Sequence, residues 1–192
     1  CACGESIPTP RSPRSRKTAN MTALPSPLPA DDPALALLEG WFEARGWTPA
    51  PFQRALWSAW RAGRSGLLHA PTGSGKTLAL WAGLRVLWIT PLRALAGDTL
   101  TQLRAPLVEL GLRLAVERRT TDSSAAERRR LRERPPYALV TTPESLSLLL
   151  SYPEADARFA RLDAVIVDEW HELLGSRRGV QLELCLARLK QW

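Results

Sequence analysis

The sequence predicts an α/β protein, with a parallel sheet covered on both faces by helices. Three observations predict it. From residue 34 onward, short apolar runs alternate with stretches of helical periodicity. A glycine-rich turn, Ala70-Pro71-Thr72-Gly73-Ser74-Gly75-Lys76-Thr77, stands between one such run and a helical stretch. A carboxylate pair, Asp168-Glu169, follows directly on the apolar run Ala164-Val165-Ile166-Val167. In sheets of this kind ligands bind at the carboxyl ends of the strands, and the turn and the pair both fall there.

The elements follow in order. Residues 34–45 read as a first helix, ended by Gly46. Pro51 opens a second, with Phe52, Ala55, Leu56, Ala59 and Trp60 on one face and Gly63 at its close. Strands are expected over Gly66–His69, Val86–Thr90, Arg113–Val116, Tyr137–Thr141 and Ala164–Asp168, and helices over 77–83, 93–110, 124–133, 144–151 and 179–190. Thr90 and Thr142 each precede a proline and read as helix N-caps. The connection from Thr77 to Val86 leaves room for a helix of about two turns, shorter than a parallel crossover usually takes. An unusually tight helix or a lost segment is implied. The run Glu127–Arg134 reads as a solvent-facing helix surface, and His69 as structural.

A chain of 192 residues suits one α/β domain with a real core. Its net charge is +7, of which residues 1–20 carry +3. The excess favours a polyanionic partner without identifying one. Residues 1–33 are rich in Pro, Ser, Thr and Arg and are expected to be disordered, and Met21, the one methionine, is the expected start, so that 1–20 is not native. No apolar stretch is long enough to cross a bilayer and no signal peptide is evident, which predicts a cytoplasmic protein without membrane contact. Cys1, Cys3 and Cys185 support neither a disulfide framework nor a zinc site.

The two motifs together carry the chemistry of a nucleotide triphosphatase. Gly73 and Gly75 let backbone N–H groups turn inward, with Thr72 and Ser74 beside them, to cradle phosphates. Lys76 can reach the β- and γ-phosphates and the Thr77 hydroxyl can ligate Mg²⁺. Asp168 would hold the metal, and Glu169 would orient and deprotonate the attacking water. Taken alone, Asp168-Glu169 could simply be an acidic helix start.

Five segments in order, from Gly46 to about residue 180, resemble the first RecA-like domain of a superfamily 2 helicase of the Lhr-type group, and look most like the DNA ligase-associated DEXH-box helicases. Gly46–Gln53 resembles the Q motif, which implies that Gln53 meets the adenine edge of ATP. Ala70–Thr77 resembles motif I. Thr90-Pro91-Leu92-Arg93-Ala94-Leu95 resembles motif Ia, and Thr141-Thr142-Pro143-Glu144-Ser145-Leu146 resembles the segment that grips a strand backbone. Asp168-Glu169-Trp170-His171 is similar to motif II in its DEXH form, and its continuation Glu172-Leu173-Leu174-Gly175 is similar to the Lhr-type run. Arg118-Arg119-Thr120-Thr121-Asp122 resembles an Arg-Thr-Gly-Asp segment, with Thr121 where glycine is usual.

The resemblance implies an ATP-dependent helicase in DNA repair, using ATP and Mg²⁺, with single-stranded DNA or RNA as partner and a functional association with a DNA ligase. His171 would couple the ATP site to the strand site. Thr90, Pro91, Arg93, Thr120, Thr142, Pro143 and Glu144 would line the strand groove, through hydroxyls, a cation and the free N–H groups of helix starts. Trp41, Phe42 or Trp47 could stack on adenine. Residues 34–192 would form the first RecA-like domain, ending before the Ser-Ala-Thr motif and the second domain that the resemblance calls for. Without that domain's arginine finger, binding is expected to exceed turnover. A non-catalytic nucleic-acid-binding module is the main alternative, and a nucleotide switch or transporter ATPase a third.

Overall fold

The computed structural model describes residues 33–71, 73–81 and 85–192. Of the disorder expected over residues 1–33, all but Pro33, which opens a helix, lies outside these residues, as do the start at Met21, Cys1, Cys3 and Thr72. Two helices come first, α1 (Pro33–Ala44) and α2 (Pro51–Arg61), closed by Gly46 and Gly63, both at positive φ. Then follow α3 (Lys76–Leu80), β1 (Val86–Ile89), α4 (Arg93–Glu109), β2 (Val116–Arg119), α5 (Ala125–Glu133), β3 (Ala138–Thr141), α6 (Pro143–Leu150), α7 (Ala155–Phe159), β4 (Ala164–Val167), a 3-10 turn (Trp170–Leu173) and α8 (Arg177–Leu189).

The four strands form one parallel sheet in the order β2-β3-β1-β4. Alternation along β1 divides the core. Val86 and Trp88 face α4, packing with Ala96, Leu103 and Leu107. Leu87 and Ile89 face the other layer, with Leu131 of α5, Leu146 and Leu149 of α6, Phe159 of α7 and Leu182 of α8. All four β1 residues are buried, as befits a central parallel strand covered on both faces. A third cluster joins Leu38, Trp41, Phe42 and Trp57 of α1 and α2.

Four expectations are corrected. Gly66–His69 is not a strand, and Leu67 is 72% exposed. The cause lies downstream: ten residues, Lys76 to Arg85, lead from the glycine turn to β1, fewer than the dozen or so a parallel crossover takes. α3 is correspondingly only five residues long, and Trp57 Nε1 ties it to α2 by donating to Ala79 O at 2.9 Å. The second correction is to Arg113–Val116, since the strand begins at Val116. Ala115 O already accepts from Tyr137 N (2.8 Å), and β2, an edge strand, tolerates the charges of Glu117 and Arg118.

Thirdly, Thr90 does not cap α4. Its N–H donates to Thr141 O at 2.9 Å, extending the sheet, and Leu92 takes the extended cap conformation instead. Thr142 does cap α6, with Pro143 at the first position. Fourthly, the inward stripe of α2 is turned by one residue from that expected: Gln53, Leu56 and Trp57 are buried.

α8 is seated on the segment after β4. Ser176 Oγ donates to Leu173 O (2.8 Å) and accepts from Gly179 N (3.1 Å). A Cβ on Gly179 would collide with the Leu173 carbonyl, a backbone atom that cannot swing away. Gly179→Ala should therefore destabilise the protein by about 1–3 kcal/mol, the range for overpacking a tight site. Urea unfolding with an unchanged m-value checks this, and wild-type stability would mean that α8 shifts freely.

Candidate nucleotide and strand site

The glycine turn is built as a cradle. Gly73 (φ 81°) and Gly75 (φ 83°) both lie in the left-handed region, which turns successive N–H groups to one side. Lys76, the first residue of α3, folds back so that Nζ donates to Ala70 O at 2.8 Å, placing its cation across the turn. Ser74 Oγ is buried without a partner. A buried hydroxyl left unpaired is costly, and a phosphate oxygen is the acceptor this position lacks. Gln53, buried on α2, accepts from Ala50 N (2.8 Å) and donates to Gly75 O (3.2 Å). One N–H and one lone pair of its amide remain.

β4 delivers Asp168 to the sheet's carboxyl edge, its N–H donating to Ile89 O at 2.9 Å. Its carboxylate accepts from Glu169 N (3.0 Å) and from Trp88 Nε1 (3.4 Å). Burial, and next the charge of Glu169, push the Asp168 carboxyl up, against the Glu169 N–H, the Trp88 indole and the charge of Lys76. Lys76 is thus close enough to act on Asp168 electrostatically. Glu169 stands at φ 45°, the one non-glycine residue at positive φ among those described. His171 bridges two carboxylates, with Nδ1 3.5 Å from Glu169 Oε2 and Nε2 3.2 Å from Glu172 Oε1, and is exposed. His69 is also exposed.

No three His, Cys, Asp or Glu side chains cluster as a metal cage among the described residues. Mg²⁺ needs no such cage where phosphates supply most of its ligands, and a hydroxyl with one carboxylate, Thr77 and Asp168, fits that chemistry. Trp88 escaped the sequence reading. Its signal is positional: it pairs with Ile166, so the two share a face with Asp168, and its N–H can reach the carboxylate.

The residues expected to line a strand groove are placed unevenly. Thr90, Pro91, Thr120, Thr142 and Pro143 are buried. The Thr142 hydroxyl accepts from Ser145 N (3.5 Å), and Thr120 N donates to Ser123 Oγ (3.1 Å). Arg93 is exposed but engaged, its Nη1 donating to Asp122 Oδ1 (2.7 Å) and Oδ2 (3.0 Å) and to Thr121 Oγ1 (3.4 Å). Thr121 is not at positive φ, so the turn needs no glycine there. Glu144 is held by Arg178 of α8 through a bidentate pair. Burial pushes its carboxyl up, but the Arg178 hydrogen bond and those of the helix start outweigh this and hold it below the ordinary range. Trp41 and Phe42 are buried, and the Arg45 guanidinium lies over Trp41 and Trp47, at 4.7 and 5.0 Å from the ring centroids.

A phosphate cradle within electrostatic reach of a carboxylate pair, the pair standing at the carboxyl edge of a parallel sheet, defines a P-loop nucleotide-binding fold of the RecA-like kind. The DEAD/DEAH box helicase family matches residues 50–191, and the chain belongs to that family. It is 39% identical over 183 residues to "Lhr helicase/ probable uracil glycosylase" of Mycolicibacterium smegmatis, covering 81% of this chain and 12% of that protein. It is 35% identical over 180 residues to "ATP-dependent helicase Lhr-Core" of Methanocaldococcus jannaschii, covering 79% of this chain and 21% of that protein. Among solved structures, Mycobacterium smegmatis helicase Lhr bound to ssDNA and AMP-PNP superposes with a TM-score of 0.74 at 40% identity, over 81% of this chain and 23% of that one. The chain is thus similar to Lhr helicases over most of its own length, and it spans about a tenth to a fifth of the length of these curated relatives. Among the described residues, no helix is long and apolar enough to cross a membrane.

The raised Asp168 carboxyl has a consequence for stability. A group whose folded pKa exceeds its unfolded value stabilises fully below the unfolded pKa, and that contribution is lost as pH rises through the folded pKa. At neutral pH the ionised Asp168 is therefore a net cost in the free protein. Asp168→Asn should raise the melting temperature by a few degrees at neutral pH, and the gain should vanish in acid, below the ordinary aspartate range. Melts across that pH range check it, and a pH-independent difference would remove the electrostatic account.

Proposed function

We propose that residues 34–192 form the first RecA-like, ATP-binding and ATP-hydrolysing domain of a cytoplasmic, ATP-dependent helicase or translocase that works on single-stranded nucleic acid, DNA in the first instance. The observation that carries this reading is the cradle with its unpartnered Ser74 hydroxyl and crossing Lys76, whose charge acts on Asp168 at the sheet's edge. The ssDNA and AMP-PNP bound to the similar Lhr structure support the choice of ligands. A role in DNA repair, in association with a DNA ligase, is part of the same reading and rests on the motif resemblance.

Each residue has a task in this scheme. Gln53 offers its remaining N–H and lone pair to the adenine edge while holding Gly75. Thr72 belongs to the cradle with Gly73, Ser74 and Gly75, whose N–H groups bind phosphate oxygens, and Lys76 exchanges Ala70 O for phosphate. Thr77 and Asp168 would hold Mg²⁺, which when bound neutralises charge on the β- and γ-phosphate oxygens. Glu169 accepts the proton of the attacking water. His171, in contact with Glu169, relays the state of the ATP site toward the strand. The transition-state arginine comes from a further domain of the whole protein, and turnover by this chain alone is correspondingly slow.

On the strand side, Arg93 contacts phosphate together with the backbone at the starts of α4 and α6. The buried Thr90, Pro91, Thr120, Thr142 and Pro143 shape those turns, and Glu144 fixes α6 against α8.

Lys76→Ala should weaken binding of a non-hydrolysable ATP analogue with Mg²⁺ by about tenfold or more, since it deletes a charge-assisted contact. Titration calorimetry measures this, and full affinity in a folded variant would overturn the nucleotide assignment.

Asp122 competes with the strand for Arg93. An exposed pair of this kind is worth about 1 kcal/mol or less, so Asp122→Asn should tighten single-stranded DNA binding by about two- to fivefold and steepen its salt dependence. Fluorescence anisotropy at two salt concentrations reads both. Weaker binding would show that Asp122 positions Arg93 for the strand rather than occupying it.

A further inference from the structure

α5 carries four exposed arginines, and the fold sorts them into two pairs. Arg129 is matched by Glu133 on its own helix and Arg130 by Glu117 of β2. Arg128 and Arg132, four residues apart and so on one face, have no carboxylate within ion-pair distance among the described residues. Like charges at this spacing repel, and a glutamate at either position would relieve it, as Glu133 does for Arg129. The face is therefore a cost to the helix as it stands.

Beside it lies an aromatic ring. Tyr152, half-buried just beyond α6, holds the Arg132 guanidinium over its ring at 5.0 Å from the centroid and that of Arg119 at 5.6 Å, and its hydroxyl accepts from Arg119 Nη2 at 3.4 Å. The Arg119 hydrogen bond, against burial and together with the charges of Arg119, Arg132 and Arg128, holds the phenol below the ordinary tyrosine range. Three guanidiniums thus surround one ring. Burial and then the charges of Arg119 and Arg132, against Glu154, push the Arg158 guanidinium down as well, and its donors are engaged by Leu131 O and Arg132 O. It adds positive charge to the cluster without being a free contact.

Stacking engages the face of a guanidinium and leaves its in-plane donors, the fork that matches a phosphate. Arg128 reaches only its own helix, at Ser124 O (3.5 Å). The pair stands on an open ridge, where a small anion would keep its water. A chain of phosphates gains there, because each contact releases counterions.

We infer that the Arg128–Arg132 face of α5, mounted on Tyr152, is a second contact for the phosphate backbone of a nucleic acid, outside the Arg93 groove. This rests on the nucleic-acid reading above. The two contacts lie on one path: the turn bearing Asp122, which holds Arg93, runs straight into α5, so a strand crossing the carboxyl end of β2 meets Arg128 and then Arg132.

The test is fluorescence anisotropy of the 192-residue chain with an oligothymidylate of about 20 nucleotides, read between about 50 and 200 mM salt. Arg128→Gln with Arg132→Gln should weaken binding about fivefold or more at the lower salt and flatten the log–log salt slope by about 1.4, the loss of two single-strand phosphate contacts. Arg129→Gln with Arg130→Gln removes the same charge from the same helix and, those residues being matched by carboxylates, should leave the affinity within about twofold of the parent. All four positions are exposed, so both double variants should fold. Equal losses in the two would mean that only net charge counts, and an unaltered slope in the first that no phosphate is held there. Either result overturns the inference and leaves the Arg93 groove standing. Polyglutamate of the same length, bound as tightly as the oligonucleotide, overturns it too, in favour of an acidic peptide. If the parent binds no oligonucleotide at all, the strand reading itself falls, and this surface with it.

Discussion

The functional edge of this protein depends on the parallel pairing of β1 with β4. Val86–Ile89 lies in register with Ala164–Val167, and the rung from Asp168 N to Ile89 O sets how far the carboxylate emerges from the sheet. The same register puts Trp88 on the face of Ile166 and Asp168, so that the indole and the carboxylate meet. A slip of one residue would turn Asp168 to the opposite face, away from Lys76 and Trp88. The register is secured by burial, since β1 is enclosed on both faces and any slip would expose or crowd apolar side chains that fill two separate clusters.

Around that edge the chain departs from what stability alone would favour. Ser74 keeps a buried hydroxyl unpaired, Asp168 is held in a half-buried place that resists its ionisation, and Glu169 occupies a left-handed backbone conformation. Such a conformation costs a non-glycine residue about 1–3 kcal/mol. These departures gather on the two motifs with the chemistry. The anchors around them follow the ordinary rules: the Ser124–Glu127 capping box, the Thr142 cap, and the Ser176 staple that ties α8 to the turn after Asp168. Strain at the motifs is thus held by well-capped neighbours, which keeps the carboxylate pair in place before any ligand arrives.

The sheet and most helices were legible because their signals are local. The apolar runs of β1, β3 and β4, the cap of α6, and the glycines closing α1 and α2 each act within a few residues. What was not legible depends on distance. Gly66–His69 reads as a strand but lies off the sheet, ahead of a crossover shorter than a parallel connection usually takes. Arg93 reads as a free cation until the fold brings Asp122 to it from 29 residues away. Trp88 looks like plain core until the register places it under Asp168, and only the fold shows that the Gln53 amide also braces Gly75.

The arginines show how the net positive charge is used. On the surface many are paired: Arg45 with Glu109, Arg93 with Asp122, Arg104 and Arg130 with Glu117, Arg129 with Glu133, Arg178 with Glu144. On the proposed function, the cation of Arg93 is therefore partly neutralised before a strand binds. Exposed pairs are weak, about 1 kcal/mol or less, and a polyanion that supplies several phosphates together can displace them one after another. Affinity built this way is set by competition between internal carboxylates and external phosphates. On that proposed reading the carboxylates, no less than the arginines, would decide how firmly a strand is held, and an acidic side chain such as Asp122 would belong to the binding surface it partly blocks.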